Sequence, residues 1–375
     1  MLTYDYIIAG AGCAGLSLVH HLLAGGLTDK QVLIIDTSAK TQNDKTWCFW
    51  SQSDFGYQSA KQRSWRQLSF LTEQVTHSET IAPLSYYHIS SLDFYKEVLQ
   101  LIEASDHIHF ARERVKSIKS VVDRCTITTD QNQYEATWVF NSIPTGFDAS
   151  APENALTQHF FGQTVETDKP TFDPSRVYLM DFRMPNQQVV QFGYLLPFSE
   201  NRALVEYTEF SDRKPTKPMY QALLSDYLNR LGVNGHKVLE EEAGVIPMSM
   251  HQFPQFTDQR IVNIGTAGGL TKPTTGYTFR NIQIDSQRIV KSLQKEGDAI
   301  DRRKSHSRFA FYDRLLLGII REEPAQVKKI MHRLFTRNRF RAILRFLDEE
   351  STFWEEIKIF CSIPWAPFLR QLFKR

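Results

Sequence analysis

Three features of the 375-residue chain predict an α/β fold. It opens on an apolar run, Tyr4 to Ala9, followed by a glycine-rich turn, a helix-forming stretch and a second apolar run, a βαβ unit about as short as such units come. The middle, from about Phe160 to Pro247, is rich in strand-like segments. Beyond Arg302 the pattern is almost entirely helical. A Rossmann-type domain, interleaved with a β-rich domain and followed by a helical C-terminal part, accounts for all three.

The elements follow in order. Tyr4 to Ala9 reads as a buried strand, Cys13 to Leu23 as a helix and Gln31 to Asp36 as the second strand. A helix over Leu92 to Ala104 is signalled by Ser90 and Asp93, spaced as in a capping box. Short strands crowd between His107 and Phe140, with Asp130-Gln131-Asn132-Gln133 as a hairpin turn. Gln188 to Phe198 and Ala203 to Phe210 form a hairpin through Ser199 to Arg202, and a helix near Lys217 to Arg230 interrupts the strands. Arg260 to Ile264 returns as a buried strand, before a second glycine-rich turn and a helix from about Thr275 to Lys295. With no repeat or low-complexity linker, the parts interleave. Residues 1–150 and 240–300 make the Rossmann-type domain, 151–239 the β-rich substrate domain and 301–375 the helical part.

Composition narrows the function. A hydrophobic fraction of 42% with 23% charged residues is that of a globular protein with a sizeable core. The net charge of +2 argues against a polyanion binder, and no nucleic-acid module is recognisable. Cys13, Cys48, Cys125 and Cys361 lie far apart without a CxxC pair, which predicts reduced thiols in a cytoplasmic protein and no zinc site. Neither a signal peptide nor a run of 18 apolar residues is present, so no spanning helix is expected.

Gly10-Ala11-Gly12-Cys13-Ala14-Gly15 is GxGxxG between a strand and a helix. The first glycine allows the tight turn, the second lets the backbone approach a pyrophosphate, and the third lets helix and strand pack closely. Free N–H groups at the helix start then hold the anion. Asp36, twenty-one residues after Gly15, stands where a carboxylate binds a ribose hydroxyl, which favours FAD or NAD over NADP. The second turn, Val262 to Phe279, again follows a strand and opens a helix. Two such turns suit FAD better than NAD; the alternative is a structural turn punctuated by Pro273 and Gly276. No second GxGxxG marks a nicotinamide domain, so NAD(P)H is expected only as an external electron donor.

The stretch LVEYTEFS, Leu204 to Ser211, alternates in a strand: Leu204, Glu206, Thr208 and Phe210 share one face, and Val205, Tyr207 and Glu209 the other. Glutamate is almost never fully buried without a partner, so the ordinary reading of Glu206 is a solvated carboxylate. Glu240-Glu241-Glu242 reads as a solvated strand entry without a role. Trp47 and Trp50, beside a polar run from Asn43, suit either core or the lining of a flavin or polyene pocket.

Several stretches carry a family resemblance: Lys45, Thr46, Trp47 and Phe49; Met180-Asp181; Phe192, Tyr194 and Pro197; Leu204, Glu206 and Thr208; Gly244 to Met248; and Pro273 to Tyr277. On these the chain resembles the lycopene cyclases, flavoproteins of carotenoid biosynthesis. Lys45 stands where the family usually has Arg or His, Tyr207 replaces a frequent second acidic residue, and Gly265-Thr266 replaces the Gly-Asp of many related flavoproteins.

The resemblance implies lycopene β-cyclase activity, a redox-neutral isomerisation of the ψ ends of lycopene to β rings, giving γ- and β-carotene. It implies FAD, active in its reduced form, held by Gly10, Gly12, Ala14, Gly15, Asp36, Thr46, Gly265, Thr266, Gly268, Gly269 and Gly276. It makes Glu206 the acid, with Asp181 the next carboxylate to consider. A free glutamate titrates near about 4.3, so burial has to raise this one if it is to stay protonated at neutral pH. A flavin monooxygenase, a prenyl reductase or a non-catalytic prenyl-binding protein of the same fold stays open as an alternative. Arg308 to Arg345 carries ten Lys or Arg against three Asp or Glu, with apolar residues between. Such helices are either solvated faces or a basic surface resting on anionic lipid at the inner face of the cell membrane, where lycopene and related carotenoids dissolve.

Overall fold

The computed structural model describes residues 2–121, 123–144, 146–148, 151, 156–184, 188–299 and 307–374. At its centre the strands Leu2–Ala9, Val32–Ile35 and Ile108–Ala111 run parallel, flanked on the other side by Gln133–Asn141 and Ile261–Asn263. Parallel strands need both faces covered, and the period of two supplies both coats. Ile8, Ile34 and Phe140 pack under the helices Cys13–Ala24, Ser91–Glu103 and Phe279–Glu296. Ile7, Leu33 and Val139 point the other way, against Cys125 and Ile127 of the hairpin strand Arg124–Thr129. The hairpin turns where the sequence places it, and the Ser90 hydroxyl accepts from the Asp93 amide at the start of its helix.

A seven-stranded sheet lies beside this unit. Its order is Lys237–Pro247, Thr157–Glu166, Arg202–Ser211, Val190–Pro197, Arg176–Asp181, Gln67–Leu71 and Thr76–Thr80. Two of its strands come from within the first segment assigned to the Rossmann-type domain, and Lys237–Pro247 from its second. Alternation reveals which face a side chain takes but not which strand lies alongside, so these crossovers were not legible. A three-stranded sheet, Thr46–Ser51, Ser85–Ser90 and Lys61–Trp65, stands apart from both larger sheets.

One face of the seven-stranded sheet packs on the helix Lys217–Arg230, with Val205, Tyr207 and Phe161 against Tyr220, Leu224 and Tyr227. The other face meets the C-terminal helices Ser307–Glu322, Pro324–Arg337, Phe340–Leu347 and Phe353–Ser362, which are followed by Trp365–Leu372.

The helix expected from Thr275 starts instead at Phe279. Tertiary contacts hold the preceding loop open. Lys272 Nζ is buried against Asp313 (2.9 Å) and Glu349 (3.0 Å), and the Thr274 hydroxyl donates to Asp313 (2.7 Å). Among the described residues, no helix is long and apolar enough to cross a membrane, and no cluster of three or more His, Cys, Asp or Glu could hold a metal ion.

Candidate active site

A cavity of about 790 Å³ runs from the first glycine turn, past Glu206, to apolar side chains of the C-terminal helices such as Leu316, Val327 and Met331. At the turn, Gly15 has to lack a side chain, because a Cβ there would stand 2.0 Å from the Gly10 carbonyl oxygen. Around Gly12 there is open space instead: a Cβ would meet nothing within 4 Å. The helix that follows has no side-chain cap, so its first N–H groups are offered to the cavity. A pyrophosphate fits this cradle.

The second glycine turn closes on the first. Gly265 begins the short 3-10 turn Gly265–Gly268 at φ +61°, and a Cβ there would lie 2.6 Å from that of Ala14. Ala14, Gly12, Thr46, Gly265, Thr266 and Gly276 line the cavity. Gly10, Gly15, Asp36, Gly268 and Gly269 are not among the lining residues; Gly10 and Gly15 shape the first turn, and Gly268 and Gly269 lie in and just after the second. The Asp36 carboxylate accepts from the Ala11 amide (2.7 Å) and the Ser38 amide (2.7 Å), and lies 3.1 Å from Lys40 Nζ. It therefore braces the turn from the end of the second strand. The Thr46 hydroxyl donates to Glu242 Oε2 at 2.5 Å.

That contact revises the reading of the glutamate triplet. Glu241 faces away from the cavity, paired with Lys217 (2.7 Å) and bonded by Gln163 (3.0 Å). Glu242 points into the cavity. The sequence carried a usable signal: in the strand Lys237–Pro247, Glu242 shares the face of Gly244 and Ile246, and Ile246 packs into the core beside the cavity.

Glu206 also lines the cavity, on the face expected, and is only 9% exposed. Its strand pairs Glu206 with Gly162, and Gly162 pairs on its other side with Glu242. The rung thus reads Glu206, Gly162, Glu242. A Cβ on Gly162 would lie 2.6 Å from Glu206 Cγ and 3.2 Å from its Oε1. Glycine in the middle strand is what leaves room for the two carboxyl groups to face each other. Burial, then the charge of Glu242 and the hydrogen bond between the two groups, raise the Glu206 carboxyl well above the usual glutamate range. Glu242 Oε1 is buried and accepts no bond from an ordinary donor. Two carboxylates cannot bond to each other, whereas a carboxylic acid and a carboxylate can, so one proton held between them satisfies the pair.

Around the pair the lining is aromatic. The Tyr86 hydroxyl bonds those of Tyr194 (2.7 Å) and Tyr277 (3.0 Å), and Trp50 meets Tyr277 edge-on at 4.6 Å. Burial pushes the Cys48 thiol and all three tyrosines up, so they hold their protons at neutral pH. Asp181 is no substitute acid. It is buried in a two-oxygen contact with Arg183 (2.9 and 2.6 Å), accepts from Tyr227 (3.1 Å), and lies outside the cavity.

Among the described residues, four of the ten C-terminal cations pair with carboxylates of the protein itself. Arg308 pairs with Glu356, Lys328 with Glu73, Arg339 with Glu79 and Arg345 with Glu355. Beside Lys358 and Arg370, the last two helices expose large apolar side chains: Phe353, Trp354 (72%), Trp365 and, just beyond the last helix, Phe373 (78%).

The family model described as "Lycopene cyclase protein" matches residues 5–373. The "Lycopene beta cyclase, chloroplastic" of Nicotiana tabacum is 26% identical over 325 residues, covering 80% of this chain and 63% of the tobacco protein. The "Lycopene beta-cyclase" of Paracoccus sp. is 27% identical over 287 residues, 74% of this chain and 71% of that one. Among solved structures, a geranylgeranyl bacteriochlorophyll reductase-like protein of Thermoplasma acidophilum superposes with a TM-score of 0.61 at 13% identity, over 99% of this chain and 96% of its own. A point mutant of the halogenase PltM, solved in complex with FAD, superposes at 0.62 and 14% identity over 92% and 82%. At such identity these two show the fold, that of flavoproteins. A match over nearly the whole length shows more: the chain belongs to the lycopene cyclase family.

Proposed function

We propose that this protein is a lycopene β-cyclase that uses reduced FAD. The observation that carries the reading is a buried glutamic acid, Glu206, in a carbon-lined cavity that is continuous with an open glycine cradle. Its substrate is then lycopene, or a related carotenoid with a ψ end. Glu206 donates its proton to the terminal alkene. The neighbouring double bond closes the ring onto the tertiary cation, and loss of a different proton leaves the β ring. The faces of Tyr86, Tyr194 and Tyr277 line the space where that positive charge develops and attract it.

The cofactor residues would be Gly12 and Ala14 at the pyrophosphate, Asp36 at the ribose, and Thr46 with the turn Gly265–Gly269 and Gly276 along the rest, while Gly10 and Gly15 shape the first turn. When bound, anionic reduced flavin supplies negative charge near the cation. With no net electron transfer to substrate, NAD(P)H serves only to reduce the flavin from outside. The exposed aromatics of the last helices support the reading that the protein works at the cytoplasmic side of the cell membrane, where the substrate dissolves.

Expression in a lycopene-accumulating bacterium tests the reading, with β-carotene or γ-carotene as the expected pigment. Unchanged lycopene alongside a soluble, yellow protein would overturn it. NAD(P)H consumed in proportion to product would select a reductase or monooxygenase instead.

A further inference from the structure

The reaction proposed above starts with one proton entering the substrate and ends with another leaving, yet one acid explains only the first event. We propose that Glu242 is the base of the same site: it removes the proton from the cyclised cation and returns it to Glu206. This rests on the cyclase reading.

The chemistry balances. The Glu206 acid gives its proton to C2 of the ψ end, using the π pair of C1=C2 and leaving the cation at C1. The π pair of C5=C6 forms the C1–C6 bond and moves the cation to C5. Glu242, as carboxylate, takes the proton from C6, and the electrons of that C–H bond become the new C5=C6 double bond. Glu206 is then a carboxylate and Glu242 an acid. One proton transfer across the pair restores the starting state, with no electron or net proton consumed.

The geometry points to Glu242 by what every other group in the cavity is already doing. Among the described lining residues, Asp44 accepts the hydroxyls of Ser91 and Tyr95, each at 3.0 Å. Asp313 is held by Lys272 and Thr274. Cys48, Tyr86, Tyr194 and Tyr277, the titratable groups facing the pair, retain their protons. Glu242 alone among these carboxylates combines a buried oxygen without a donor, Oε1, with contact across Gly162 to the acid. The Thr46 hydroxyl occupies Oε2, so Oε1 is the oxygen left to accept a proton.

The test uses the FAD-loaded protein, chemically reduced, with lycopene in liposomes and analysis of ring type. Wild type should make β rings, and Glu206→Gln no ring of any kind. Glu242→Gln should still protonate and close some rings, but lose β-ring formation by about 10²-fold or more, as expected for loss of a general base. Its products should shift to rings that lose a proton from C4 or from the C5 methyl, or that capture water. Glu242→Asp should restore β rings in part. In infrared spectra at neutral pH the component of the protonated-carboxyl band that is lost in Glu206→Gln should move in Glu242→Gln. β-ring formation by Glu242→Gln within about tenfold of wild type would overturn the assignment, as would an unmoved band. No rings from either Glu242 variant, with both folded and yellow, would make Glu242 a positioning residue only and also overturn it. Wild type that is inert on lycopene would instead be a failure of the cyclase reading itself.

Discussion

Glu206 and Glu209 stand three residues apart on one strand, buried to nearly the same degree at 9% and 8% exposure, yet on opposite faces of the sheet. The Glu209 carboxylate accepts the Tyr207 hydroxyl and lies 3.8 Å from His159, which is itself bonded to Ser211 and Tyr220. On that face polar side chains answer one another between the sheet and a helix. On the other face Glu206 finds carbon, aromatic rings and a second carboxyl group. The first arrangement holds a helix to a sheet, and the second keeps a proton available. What a buried carboxyl does is decided by whether its oxygens are given donors.

The largest effect should come from breaking that difference at its source. Glu206→Gln keeps size and hydrogen bonding but cannot deliver a proton, so cyclisation should fall by about 10²–10⁴-fold in a folded, flavin-loaded protein. Glu209→Gln should retain most activity while losing about 1–3 kcal/mol of stability in denaturant titration, from the weakened bond to buried Tyr207. Equal activities in the two variants would remove the distinction between the faces.

Wild-type activity should also have a basic limb. The acid form of Glu206 is needed, so the rate should fall as pH rises through its raised pKa, a limb that measurements on the Glu206 variant should lack. The sign for stability is related. Above the ordinary glutamate range the unfolded chain ionises Glu206 and the native protein does not, so native stability falls with rising pH. Glu206→Gln should therefore melt higher than wild type at neutral and alkaline pH.

A smaller change tests the space between the carboxyls. Gly162→Ala inserts a methyl 2.6 Å from Glu206 Cγ. It should cost about 1–3 kcal/mol through overpacking and lower activity by turning Glu206 away from Glu242. A crystal structure with the pair undisturbed would show that glycine is not required there.

Two other carboxyls extend the comparison. Asp348 lies between the extremes: burial raises it to about 7, while Arg280 at 3.6 Å and the Trp50 indole N–H at 2.7 Å hold it down. Unfolded, it ionises near about 4. Its contribution to stability is therefore full below that value and is lost as pH rises through about 7. Asp348→Asn should flatten this part of the melting-temperature profile and leave the rest unchanged. Asp36 is the well-partnered case, with two backbone amides on its oxygens. Asp36→Ala should weaken FAD retention on dialysis while the fold persists, and full flavin retention would show that the carboxylate serves only to brace the turn.

The parts legible in the sequence were those that local chemistry dictates. A short βαβ unit with GxGxxG can be read because each glycine answers a requirement within a few residues. The faces of LVEYTEFS can be read because alternation is a property of one strand. The helix Lys217–Arg230 lies where its pattern places it. The misreadings share a cause as well. Glu242 looked like one of three solvated glutamates until its strand was paired to Thr157–Glu166, which brings Gly162 between it and Glu206. The C-terminal cations read equally as solvated faces or a lipid-facing stripe, and that Lys328 and Arg339 pair with Glu73 and Glu79, from near the other end of the chain, was not legible either. Lys272 carried no signal in the sequence, since its partners Asp313 and Glu349 come from far along the chain.

By itself, then, the sequence determined the turn chemistry, the strand faces and the family motifs, all set by interactions within a few residues. The tertiary structure alone decided which strands became neighbours and which charges found partners. A carboxyl group's protonation depends on the dielectric and the donors within a few ångströms of it, and those are supplied by distant segments. The motif marked Glu206, but only the fold showed that it has another carboxyl group for company.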